Sequence, residues 1–338
     1  MLTVIVVLIG LALIFDFLNG FHDSSNVVAT MISSHALSPR AALMITAVAE
    51  FLGPFLFGVA VAKTVGGEVV APEAINLAVV YAALLSSIAW NVFTWLLGIP
   101  SSSSHALIGG LIGAVSIARG FHTIRLAGLS KVLIALFASP ILGLAAGYVL
   151  TRLIFFLASG ATPRINTFFR RGQILTGLAL ALSHGANDAQ KTMGIITLAL
   201  VTTGYLHSFA VPAWVTALSA GAIALGTATG GWRLIKTLGA KFYKIRPVHG
   251  FATQVSSATV ILGAALLGGP VSTTQVVTSA VMGVGSAERL SKVRWGVAGS
   301  IARAWLFTIP ASAALAALLY LGLTRFPATR DALAAYLH

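Results

Sequence analysis

Apolar stretches long enough to cross the hydrocarbon core of a bilayer, about 30 Å, recur along this chain from end to end. Leu2–Ile14, Ala41–Ala62, Leu77–Ile99, Val132–Leu150, Ile174–Leu182, Ala213–Ala228, Ala258–Leu267 and Val297–Leu323 are the clearest. Of the 338 residues, 57% are hydrophobic and only 9% are charged, against about 25% charged in a soluble domain. So few charges cannot cover a water-facing surface, so lipid must solvate much of it. In lipid each span has to satisfy its own backbone hydrogen bonds, which leaves a helix or a closed barrel. The runs are continuous rather than alternating at period two, and that excludes a barrel. The expected fold class is an all-α polytopic membrane protein with about ten to twelve transmembrane segments, some short or broken.

The net charge of +13 invites a nucleic-acid reading, but the cations sit in short connections. Arg164, Arg170 and Arg171 form one group; Arg233, Lys236, Lys241, Lys244 and Arg246 another; Arg289, Lys292 and Arg294 a third. This is the positive-inside pattern of cytoplasmic loops next to a lipid bilayer, and no nucleic-acid partner is expected. Without cysteine there is neither a disulfide framework nor a thiolate metal site. Met1–Asn19 reads as a retained first helix rather than a signal peptide.

The chain also repeats itself. Leu96-Leu97-Gly98-Ile99-Pro100-Ser101-Ser102-Ser103-Ser104-His105 aligns with Leu266-Leu267-Gly268-Gly269-Pro270-Val271-Ser272-Thr273-Thr274-Gln275, an offset of 270 − 100 = 170. At that offset Ser86-Ser87 meets Ser256-Ser257, Gly113 meets Gly283 and Pro140 meets Pro310. Slightly different offsets align Lys63-Thr64-Val65-Gly66 with Lys236-Thr237-Leu238-Gly239, and Asp23 with Asp188. The loop after Lys63 carries Glu68 and Glu73, whereas its counterpart from Arg233 to Arg246 carries five cations and no acid. Opposite loop charge implies opposite membrane faces, hence two inverted repeats. The expected organisation is a first repeat over 1–162, a basic cytoplasmic linker over 163–172 and a second repeat over 173–338. Together they would form one transport domain with both termini external.

Chemistry concentrates in four polar clusters. Of the eight acids, Asp16, Asp23, Glu50 and Asp188 fall inside or beside apolar stretches, where a carboxylate is costly and usually marks an ion path. Asn19-Gly20-Phe21-His22-Asp23-Ser24-Ser25-Asn26 and Ser183-His184-Gly185-Ala186-Asn187-Asp188-Ala189-Gln190-Lys191 each place Gly, Asn or His beside an Asp. Both are expected to break a helix, offering carbonyls and carboxylate to a cation and N–H groups to an anion. The other pair, the Ser101–Ser104 and Ser272–Thr274 boxes, reads as re-entrant helix starts with N-cap hydroxyls, an uncharged cradle for an oxyanion. Lys191 supplies a cation near that site, and His22, His105 and His184 are candidate proton carriers. Helical His/Glu metal spacing is absent, and no cofactor or enzymatic nucleophile–base pair is expected.

These four motifs, in this order, resemble the signatures of the PiT inorganic phosphate transporters over nearly the whole chain. The resemblance implies an inverted-repeat carrier, often a homodimer, that moves phosphate with sodium ions or protons by alternating access. It places Asp23, Asn26, Asn187 and Asp188 in the ion and substrate region, where sodium could bind, and lines the phosphate site with Gln190, Lys191 and the hydroxyls of Ser102, Ser103, Ser104, Ser272, Thr273 and Thr274. The sodium-coupled pattern commonly reads Gly-Ala-Asn-Asp in both halves, but here the first half reads Gly-Phe-His-Asp. An imidazole at His22 tilts the expectation toward a proton. Gln254 and Gln275 stand where family members often have Glu and His. A sulfate or other oxyanion permease is the alternative, and an anion channel or an intramembrane enzyme are more distant ones.

Overall fold

The computed structural model describes residues 2–71, 74–99, 101–230, 246–326 and 329. Glu73, Pro100, Arg233, Lys236, Lys241 and Lys244 lie outside the described residues, and with them the Lys236–Gly239 match and most of the loop-charge comparison. Eleven α-helices are described: α1 Leu2–Ser33, α2 Pro39–Phe57, α3 Ala60–Lys63, α4 Leu77–Leu96, α5 Ser103–Arg119, α6 Leu126–Leu157, α7 Ile165–Thr202, α8 Ala213–Thr229, α9 Pro247–Leu266, α10 Thr273–Glu288 and α11 Trp295–Arg325. All but α3 have 16 residues or more, and five carry stretches long and apolar enough to cross a membrane (Leu2–Ser33, Pro39–Phe57, Leu77–Leu96, Leu126–Leu157 and Ala298–Arg325).

Burial runs opposite to that of a soluble protein. Leu267 is 80% exposed, Phe156 77% and Ile141 69%, while Asp16, Glu50 and Asp188 are wholly buried. Large apolar side chains cover much of the outside while Asp16, Asp23, Glu50 and Asp188 lie inside the apolar core, the arrangement that lipid solvation selects. The chain is a multi-pass α-helical membrane protein.

The helix breaks expected at 19–26 and 183–191 are not there. α1 and α7 run unbroken through both clusters. Neither contains proline, and their hydroxyls fold back onto their own helix. Ser24 donates to the Phe21 carbonyl, Ser25 to His22 and Ser183 to Ala179, so these polar groups are satisfied without opening the backbone ladder. Among the described residues of the four polar clusters, the breaks fall only at the two hydroxyl boxes, where the sequence also places helix starts. There Gly98 (φ 66°) and Gly268 (φ 73°) take left-handed conformations that terminate α4 and α9. The closing hydrogen bonds correspond one for one: Gly98 N to Trp95 O and Ile99 N to Thr94 O, against Gly268 N to Ala265 O and Gly269 N to Ala264 O. Ser102 and Ser272 then accept from the backbone N–H of His105 (3.2 Å) and Gln275 (3.4 Å), capping α5 and α10. Ser102→Ala and Ser272→Ala should each lower stability by about 1 kcal/mol, read as a fall in thermal unfolding temperature in detergent.

Each box is the tip of a helical hairpin whose two feet lie together. The feet of α4–α5 are joined where Ala71 N donates to Thr123 O and Arg125 N to Val69 O, at the start of α6. The feet of α9–α10 are joined by Glu288, which pairs with His249 (3.3 Å) and Arg246 (3.7 Å). They sit at the far end of α6, where Ile154 packs with Phe169, Ala252 and Val284. The hairpins are thus rooted at opposite ends of α6, and their tips meet where Ser104 donates to the Val271 carbonyl at 3.0 Å. Close helix crossings hold this frame. A Cβ on Gly20 would lie 2.1 Å from the Ile223 carbonyl oxygen of α8, and one on Gly185 would lie 2.1 Å from that of Glu50 in α2.

Candidate functional site

α1 and α7 each present three polar residues at i, i+4 and i+7, which share one helix face. They are Asn19, Asp23 and Asn26 on α1, and His184, Asp188 and Lys191 on α7. Against these two faces come the first residues of α5 and α10, and the positive end of α10 meets both carboxylates. Every one of these side chains is buried.

Thr273 lies at the centre, its hydroxyl 3.1 Å from Asp23 Oδ2 and 3.0 Å from Asp188 Oδ2. Thr274 donates to Asp23 Oδ1 at 2.6 Å, and Asn26 Nδ2 donates to the same oxygen at 3.0 Å. On the other side Lys191 donates to Asp188 Oδ1, to Ser104 Oγ (2.6 Å) and to the Val271 carbonyl (2.8 Å). Asn19 links the two sets, donating to Asp188 Oδ2 (3.1 Å) and accepting from Ser103 Oγ (2.7 Å). His184 Nε2 sits 3.3 Å from Asp188 Oδ2 and 3.7 Å from Asp23 Oδ2, while its Nδ1 lies 2.8 Å from Glu50 Oε1.

Of the residues expected in the site, Asp23, Asn26, Asp188, Lys191, Ser103, Ser104, Thr273 and Thr274 come together in this cluster. Ser102 and Ser272 act one step back, as helix caps. Asn187 does not turn a free amide oxygen toward the carboxylates. It staples the second hairpin tip, donating to Gly269 O (3.1 Å) and accepting from Val271 N (3.3 Å). Gln190 also faces away, its Oε1 accepting from Val61 N (2.8 Å) and Ala62 N (3.3 Å) at the start of α3. His22 stays at the edge, 3.9 Å from Asp23 Oδ1, and lines a cavity of about 180 Å³ with Phe17, Phe21, Asn91 and Trp95.

Two features of the cluster have no sequence motif. The Glu50–His184 contact joins residues 134 apart, and Thr192 donates to Asp16 at 2.6 Å across 176 residues. The sequence signals only that Asp16 and Glu50 are intramembrane carboxylates and His184 an intramembrane imidazole, not that they meet these partners. Asp23, His184 and Asp188 offer one ligand atom each within 4.8 Å of one another. Two carboxylates and an imidazole nitrogen on that spacing could hold a proton or a small cation.

A family model described as the phosphate transporter family matches residues 19–316. The chain belongs to that family. Among the relatives of this phosphate transporter family member, the "Probable low-affinity inorganic phosphate transporter" of Rhizobium meliloti (strain 1021) is 45% identical over 315 residues, covering 93% of this chain and 94% of the relative. The protein of the same name from Bacillus subtilis (strain 168) is 44% identical over 324 residues, covering 94% and 96%. A solved structure titled "The sodium-dependent phosphate transporter" superposes with a TM-score of 0.88 at 26% identity, over 95% of this chain and 99% of that one. The relatives carry the names of transporters, not enzymes, and place this member as a multi-pass protein of the plasma membrane.

Proposed function

We propose that this chain is a secondary carrier of inorganic phosphate, driven by a coupling cation and working by alternating access around the buried cluster. The observation that carries the reading is the Thr273 hydroxyl held between Asp23 and Asp188. An oxyanion placed about 4 Å from one ionised carboxylate is repelled by about 4 kcal/mol at an effective dielectric near 20. Lys191 already balances Asp188, so phosphate can enter only when a further positive charge, a proton or a metal cation, neutralises Asp23. The same event releases Thr273 and Thr274 from the carboxylates, freeing their hydroxyls to turn to phosphate. Binding of cation and anion is then mutually required, which is coupling.

The two hairpins suit alternating access. Rooted at opposite ends of α6, they support the reading of 1–162 and 173–338 as inverted halves joined by the basic linker 163–172. Movement of either hairpin tip would open the cluster toward its own side. The proton is the favoured coupling ion because His184 Nε2 lies between the carboxylates. Sodium is the second reading, favoured by the oxygen-rich surroundings of Asp23 and by the sodium-dependent neighbour.

Uptake of labelled phosphate into proteoliposomes, with pH and sodium gradients imposed separately, tests the reading. Stimulation by the inward proton gradient alone is expected, and stimulation by sodium alone would move the coupling to the second reading. Excess sulfate at neutral pH should not compete, since it cannot donate a hydrogen bond to a carboxylate as protonated phosphate does. Full competition would make the protein a general oxyanion permease.

A further inference from the structure

The sequence offset 188 − 23 = 165 pairs more than the two aspartates. It sets Asn19 against His184, Gly20 against Gly185 and Asn26 against Lys191. In the first half Asn26 donates to Asp23 Oδ1 and contacts Thr274 Oγ1 at 3.2 Å. In the second half Lys191 donates to Asp188 Oδ1 and to Ser104 Oγ. Ser104 is the partner of Thr274 at offset 274 − 104 = 170. Each bridging side chain thus stands one helix turn beyond its aspartate and reaches the last hydroxyl of a box. The geometry is shared and the charge is not, because the first bridge is a neutral amide and the second a full cation.

Lys191 is 1% exposed, so it does not snorkel to a membrane surface. Its ammonium is held by a carboxylate, a hydroxyl and a main-chain carbonyl, the kinds of oxygen that hold a coupling cation at a hairpin tip. An asparagine there would leave those oxygens to a mobile ion, whereas a lysine brings the charge on a tether.

We propose that the Lys191 ammonium is a resident cation standing where a mobile coupling cation would otherwise bind beside Asp188, so that each transport cycle takes up one cation fewer than a carrier with asparagine at both bridging positions. The inference rests on the transport reading above. It confines exchangeable cation binding to the Asp23 side and makes position 191 a determinant of coupling stoichiometry.

The test compares wild type and Lys191→Asn, purified in detergent, by thermal unfolding in sodium chloride and in choline chloride at equal ionic strength. The variant should gain a sodium-dependent rise of about 5 °C beyond any shown by wild type, the effect of a ligand well above its dissociation constant. Its phosphate uptake in sodium-free medium should fall by roughly a hundredfold, since Asp188 then loses the buried ammonium paired with it, and sodium should restore it. Equal salt responses in the two proteins, or variant uptake unchanged in sodium-free medium, would overturn the proposal. Should Lys191→Asn fail to fold in choline, recovery of monodisperse protein in sodium is expected, and aggregation in both salts would count against it. The converse variant Asn26→Lys should lose gradient-driven accumulation of phosphate; retention would also overturn the proposal. If wild type moves no phosphate, the transport reading fails, and the thermal comparison still decides whether Lys191 replaces a cation.

Discussion

Replacing Asp188 by Asn is expected to cut phosphate uptake by about a hundredfold or more, since losing about 3 kcal/mol of interaction with a buried cation costs two decades of affinity. Asp188 Oδ2 accepts from Thr273 and Asn19, and Oδ1 accepts from Lys191. An amide cannot hold a compensating positive charge, so the oxyanion meets an altered electrostatic site. Stability falls as well, because the Lys191 ammonium stays buried with neutral oxygens, among them Ser104 and the Val271 carbonyl, and no longer has the Asp188 carboxylate to balance it. Removing one member of a buried ion pair costs about 3–5 kcal/mol. Asp188→Asn/Lys191→Met, which removes both charges, should recover most of the thermal stability and none of the uptake. That separation of folding from transport is the informative part. A double variant that regains uptake would show that the pair is structural.

Gly185→Ala is the second change with a large expected effect. The added Cβ would lie 2.1 Å from the Glu50 carbonyl oxygen and 2.7 Å from its Cα, so α2 has to move away from α7. Overpacking of this kind costs about 1–3 kcal/mol or more. Here the displaced residue carries the Glu50 carboxylate that holds His184 at 2.8 Å, so His184 shifts relative to Asp23 and Asp188. Both thermal stability and uptake should drop, uptake by roughly tenfold if about 1.4 kcal/mol of site geometry is lost. Gly221→Ala is the control. Nothing lies within 4 Å of its Cβ position, and it should be neutral or slightly stabilising, as alanine is the better helix former.

How far the sequence reveals this site depends on the range of the interactions. The two hydroxyl boxes were legible because their chemistry is local: glycine ends one helix, and a serine two residues beyond the proline position caps the next. Asp23 and Asp188 were legible because an acid in an apolar run has few other uses. The helix breaks expected around Asp23 and Asp188 do not occur, whereas the helix starts expected at the boxes do. Gly, Asn and Ser around Asp23 and Asp188 look like breakers in a list, yet in lipid their side chains bond back to the preceding turn and the helix continues. Gln190 and Asn187 stand next to Lys191 and Asp188 in sequence but point to other faces of α7, which turns neighbouring residues by about 100°. Gln190 therefore reaches α3, and Asn187 the backbone of the second hairpin tip. Glu50 and His184 could each be flagged as intramembrane titratable groups, but their contact is set by the glycine crossing of α2 and α7. Nothing in either segment alone carries that information.

Accumulation of labelled phosphate in proteoliposomes containing the wild-type protein tests the central proposal most directly. Under an inward proton gradient with no phosphate gradient, internal phosphate should rise above the external concentration and collapse to equality when the gradient is dissipated. Folded protein that only equilibrates phosphate, or leaves it outside whatever gradient is imposed, would contradict a coupled carrier.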